Sequence, residues 1–123
     1  MATSAVPPGW PRDLPAPDSA EFRERVVPWL LDRAPAGFRT ARTLRSQPQA
    51  LALIVANIAM GEVEALRVAY AGARRELTEY LGPDEIEAVL ADIEAQGAHS
   101  AESLRQVELV AAALAGQRWR ARL

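Results

Sequence analysis

Residues 50–60, ALALIVANIAM, form an uncharged and almost entirely apolar stretch in a chain in which 24% of the residues are charged. Asn57 is the one polar side chain within it. The stretch is too short to cross a bilayer, because a hydrocarbon core of ~30 Å needs about twenty apolar residues and Glu62 follows at once. We therefore interpret it as helix surface buried by the rest of the protein or by a partner.

The apolar stretch lies in a long helix predicted from Ser46 to Leu81. Ser46 resembles an N-cap with Pro48 in the first turn, and Gly82 with Pro83 behind it is a stop signal. When the residues are placed at steps of 100° around the helix axis, the second half of the helix is amphipathic, whereas the first half is apolar on every side.

Three residues of the long helix lie opposite the predicted core, and two different parts could bury them. These interface candidates are Leu53, Asn57 and Met60. Either the first helix and the N-terminal arm fold over them, or they form a seam between subunits in which Asn57 sets the register. The two alternatives are compatible.

The rest of the chain also has helical periodicity. Asp18 and Glu21 make a capping-box-like start for a first helix to about Arg33, in which Pro28 should cause a kink or a break. Two shorter helices are predicted after the long one, the first from Pro83 to Gly97 and the second from Ser100, which we expect to act as its cap. No segment alternates apolar and polar residues with the two-residue period of a β-strand. The predicted fold class is all-α: a helical bundle with a long antiparallel helical hairpin, a kinked N-terminal helix and an extended proline-rich N-terminal arm.

Two terminal segments flank the predicted helical domain of residues 18–118. Residues 1–17 hold five of the nine prolines and form the arm, and residues 119–123 form a basic tail. Trp10 and Trp119 are further interface candidates, because amphipathic rings in such segments usually pack against something. We expect Trp10 to lie against helices of its own or a partner subunit, and Trp119 to be partly buried and to anchor a partner.

Residues that carry chemistry are scarce. The chain has no cysteine, and its one histidine, His99, is predicted in a turn as a cap residue. We therefore predict no catalytic, cofactor-binding or metal site. Glu62 projects onto the core side of the long helix and is a possible buried acid, paired with an arginine such as Arg33 or Arg105 or, alternatively, recognising a cationic ligand in a pocket.

Basic residues cluster in two places. No acid lies between Asp32 and Glu62, a range that contains Arg33. The predicted basic patch consists of Arg39, Arg42, Arg45, Arg118, Arg120 and Arg122. Arginines interleaved with an aromatic ring suit nucleic acid, whereas a solvated face paired with acidic helices is the commoner role.

Several short segments resemble small actinobacterial proteins to which no activity is attached. They are PPGWP (7–11), PWLLD (28–32), TLRSQPQALA (43–52) and GQRW (116–119). The resemblance implies a cytoplasmic bacterial protein and no functional residue. The absence of cysteine and of a recognisable signal peptide also predicts a cytoplasmic location.

The net charge of −2 gives the chain as a whole no attraction to nucleic acid. The sequence therefore predicts a non-enzymatic helical protein–protein interaction module that forms homodimers, has an unidentified protein partner and does not enter membranes. The alternative is a nucleic-acid-binding accessory protein that uses the basic patch.

Overall fold

A computed structural model describes residues 6–116, which contain helices and no strand. The helices are α1 (Ala20–Leu31), a 3-10 helix (Ala36–Thr40), α2 (Arg42–Ser46), α3 (Pro48–Leu77) and α4 (Pro83–Leu114). The two long helices, α3 and α4, follow one another through a short turn and form a helical hairpin. The predicted all-α hairpin bundle is therefore confirmed.

Helix α4 is continuous, so the predicted division into two helices is wrong. Gly97 has no positive φ, and His99 and Ser100 lie inside the helix rather than in a turn or at a cap. A glycine in a helix interior costs about 1 kcal/mol relative to alanine, which a long packed helix tolerates. The helix ends before Gly116, which has a φ of 87° and donates its N–H to the Ala113 carbonyl.

The observed helix starts differ from the predicted ones by one or two residues, and the long helix ends at Leu77 rather than at the predicted Leu81. Ser19, not Asp18, caps α1 and accepts a hydrogen bond from the Phe22 N–H. Ser46 ends α2 instead of starting the long helix, which begins at Pro48. Pro28 lies inside α1 without splitting it.

The described part of the N-terminal arm folds through successive turns. In the first turn the Trp10 N–H donates to the Pro7 carbonyl over 3.1 Å, and Gly9 has a φ of 85°. A proline followed by a residue with positive φ is typical of a type II turn, which favours glycine at that position. The PPGW sequence therefore determines where the chain reverses.

The chain divides into two compact units. The first, here called the arm unit, comprises the described residues 6–58 and 105–116: the arm, α1, the 3-10 helix, α2, the start of α3 and the end of α4. Leu30, Leu51, Val55, Val107 and Val110 are fully buried in its core. Three helices and the arm thus surround one continuous apolar cluster.

The second unit, here called the hairpin unit, comprises residues 59–104 and has a much smaller core. Its buried cluster consists of Ala73, Ile86 and Leu90, with Leu77, Leu81 and Ile93 partly buried beside it. Only α3 and α4 contribute to this unit, so each helix has a single neighbour in it. A narrow buried strip is the expected result.

Candidate functional site

The apolar outer face of α3 is exposed. Leu53 is 56% exposed and Met60 is 52% exposed, and Asn57 between them is also exposed. Ile54 and Val68, which sequence reasoning did not single out, are 36% and 71% exposed. Large aliphatic side chains in water carry a cost that burial would remove.

Within residues 6–116, neither α1 nor the arm covers Leu53 or Met60. Helix α1 belongs to the core cluster of Leu51, Ala52 and Val55, on the other side of α3. One helix covers only part of a neighbouring helix's circumference, so a helix that is apolar all round stays exposed opposite its contacts. Within the described residues, α1 and the arm therefore leave Leu53 and Met60 exposed.

Glu62 is exposed, which corrects the prediction of a buried acid. The projection assumed that the core lies in one direction along the whole of α3. In the hairpin unit, however, α3 packs against α4 alone, and Val63 and Leu66 occupy the partly buried strip. Glu62 lies beside that strip and needs no buried partner.

Arg33, a proposed partner of Glu62, instead helps to attach the arm to α1. Its guanidinium lies 3.7 Å from Asp13 Oδ2, and its Cζ lies 3.6 Å from the centroid of the Trp29 ring. Trp29 Nε1 donates to Asp13 Oδ1 over 3.0 Å. Burial lowers the pKa of Arg33, and Asp13 and Asp32 oppose that shift. The side chain stays cationic because an arginine pKa lies far above neutrality.

Trp10 lies against its own subunit. Its ring centroid is 5.8 Å from that of Phe22, and its Nε1 donates to the Leu14 carbonyl over 3.1 Å. Pro11 and Leu14 on the same arm are buried. Trp10 therefore serves the internal packing of the arm unit.

The three arginines of the basic patch within the described range are exposed. Arg39 lies 3.9 Å from Asp32, and the Arg45 guanidinium donates to the Arg39 carbonyl over 2.8 Å. Arg42 lies between them at the start of α2. This segment thus presents cationic side chains to solvent. The other members of the predicted patch, Arg118, Arg120 and Arg122, lie outside the described residues, as does Trp119.

A groove of about 470 Å³ opens between α3 and α4 within the hairpin unit. Val63, Leu66 and Tyr70 line it from α3, and Ile93, Gly97 and Ala101 line it from α4; Arg67 and Glu94 complete the lining. Sequence reasoning missed this groove because it interpreted Gly97 as a helix end. A glycine within an otherwise uninterrupted apolar period was the available signal.

Within residues 6–116 there is no group of three or more histidine or acidic side chains arranged to hold a metal ion. No helix in this range has the length and apolar character needed to cross a membrane. Comparison of the chain with family models, curated proteins and solved structures found no match.

Proposed function

We propose that this chain is a non-enzymatic helical protein–protein interaction module that forms homodimers and presents the outer face of α3 to a partner chain. The exposure of Leu53 and Met60 carries the proposal. An exposed apolar face of this kind is typical of an interaction surface, whereas scattered single apolar residues are not.

The charge pattern around this face supports a protein partner. Leu53, Ile54 and Asn57 lie in the acid-free segment before Glu62, so no carboxylate needs to be desolvated when another helix packs there. Asn57 offers an amide that can hydrogen-bond to a polar group of the partner chain and set the register. His99, the one histidine, lies exposed on α4. These features favour binding over catalysis, and a chain without cysteine suits a reducing compartment.

We expect Leu53→Glu and Met60→Glu each to weaken association through this face by at least tenfold, since each would place a charge in an apolar contact. The measurement is the mass of the purified protein by light scattering over a range of concentrations, repeated with any identified partner. Ala91→Glu, at an exposed position on α4, is the matched control. If both face variants self-associate and bind an identified partner as the unmodified protein does, the outer face of α3 has no part in binding.

A second candidate function is nucleic-acid binding through Arg39, Arg42 and Arg45. The observation that favours it is the exposure of all three side chains on one short segment without a neighbouring acid other than Asp32. Guanidinium groups exposed in this way contact phosphates and displace condensed counterions.

If this second function is correct, affinity for DNA or RNA should fall by at least tenfold between 50 and 200 mM salt, estimated for about three phosphate contacts. Fluorescence anisotropy with labelled oligonucleotides measures it. The variant in which all three arginines are replaced by alanine should lose the salt-dependent part of the binding affinity. A titration that shows no binding at low salt would eliminate nucleic acid as a ligand.

A further inference from the structure

The groove of the hairpin unit is a surface that the chain leaves unfilled. Val63, Leu66 and Ile93 are only partly buried along it. Helix pairs are usually stable when both apolar stripes are covered, as in four-helix bundles, where each helix has two neighbours. The hairpin unit supplies one neighbour per helix, and its buried cluster is limited to three side chains.

Gly97 lies on the α4 wall of this groove. A Cβ atom added at Gly97 would have no atom of the chain within 4 Å. No contact within the described part of the chain therefore requires a glycine at this position, although glycine lowers the stability of α4 relative to alanine. Its absent side chain leaves space for an atom from outside the chain.

The two charged residues of the groove lie on opposite walls. Arg67 is on α3 and Glu94 is on α4. Arg67 also pairs with Glu64 at 2.8 Å, but both side chains of that pair are mostly exposed, at 73% and 62%. Exposed pairs of this kind contribute little and exchange partners readily. The groove thus has an arginine on its α3 wall and a glutamate on its α4 wall.

We propose that a second copy of this chain closes the groove with its own groove, and that the two hairpin units form a four-helix bundle. In a two-fold arrangement each contact occurs twice. With the two-fold axis parallel to the helices, α3 of one copy lies over α4 of the other, and Arg67 of each copy faces Glu94 of its partner. All neighbouring helices are then antiparallel, as in an up-down-up-down bundle.

This inference rests on the proposed homodimeric interaction module, and it places the second copy on the groove. The outer face of α3 around Leu53 and Met60 then remains free for a different protein. Groove variants and face variants therefore test separate statements.

The test is a charge swap read out as the dimer dissociation constant by analytical ultracentrifugation of the full chain. Arg67→Glu and Glu94→Arg should each raise that constant at least tenfold, because each places like charges across both contacts. The double variant, Arg67→Glu with Glu94→Arg, should restore it to within about threefold, since the pairs reform with reversed sign. Arg75→Glu, at an exposed position on α3, is the control and should have no effect.

A second pair of variants tests the groove without depending on charge pairing. Gly97→Arg should produce monomers, because the new side chain occupies the space of the second copy, whereas Ala95→Arg on the exposed side of α4 should leave the dimer intact. Circular dichroism shows whether each variant keeps its helices. A monomeric unmodified protein, or a dimer that survives both groove charge variants and Gly97→Arg, would overturn the inference. A dimer broken only by Leu53→Glu and Met60→Glu would overturn it and leave the proposed function standing.

Discussion

Deletion of residues 1–17 should lower the melting temperature by about 10–20 °C, which corresponds to a loss of about 4 kcal/mol. The deletion removes buried Leu14 and Pro11 and the half-buried ring of Trp10 from the arm unit. It also uncovers Phe22 and Trp29, which the arm contacts. Thermal unfolding followed by far-ultraviolet circular dichroism measures the change.

Two single variants separate packing by the arm from a nonspecific effect of truncation. Leu14→Ala should account for about half of the loss, because a fully buried leucine contributes about 2–5 kcal/mol. Arg12→Ala, at an exposed position on the same arm, should leave the melting temperature unchanged. A truncated protein as stable as the full chain would contradict the packing of the arm onto α1.

Trp29→Ala should lower the free energy of unfolding by about 3–5 kcal/mol, the range for large aromatic side chains in cores. Trp29 is 5% exposed, its Nε1 donates to Asp13, and its ring carries the Arg33 guanidinium. Replacement by alanine removes the ring and leaves Asp13 and Arg33 without their common contact. Urea unfolding at neutral pH measures the loss.

The variant Trp29→Phe distinguishes the ring from its N–H group. It keeps an aromatic surface for Arg33 but removes the hydrogen bond to Asp13, so we expect a loss of about 1–2 kcal/mol. Tyr80→Ala, at a site that is 76% exposed, is the control for an aromatic residue outside the core. Equal effects of the phenylalanine and alanine variants would mean that the hydrogen bond, not packing, carries the contribution of Trp29.

Much of the fold was predictable because its signals act within a few residues. Proline in a first helical turn located the start of α4 at Pro83, and the start of α3 at Pro48 lies two residues after the predicted Ser46. Leu51 with Val55 and Val107 with Val110 recur at helical spacing and are buried, as the apolar side of a helix with this period is expected to be.

The candidate surfaces were predictable only in part. The exposure of Leu53 and Met60 followed one of two alternatives that the sequence left open. Glu62 was misplaced because a helical projection assumes one direction for the core along the whole helix. The groove was missed because Gly97 has the same local signature whether it ends a helix or lies within one.

The sequence by itself determined the helical class, the starts of α3 and α4 to within about two residues and the excess of apolar side chains in residues 50–60, because these depend on local propensity and on the period of 3.6 residues. Only the tertiary structure decided which apolar side is covered, and it also brought Asp13 to Trp29 and Arg33. Coverage depends on which elements pack together, and such contacts join residues far apart in the chain. Within the described residues, this packing leaves the outer face of α3 and the groove of the hairpin unit uncovered.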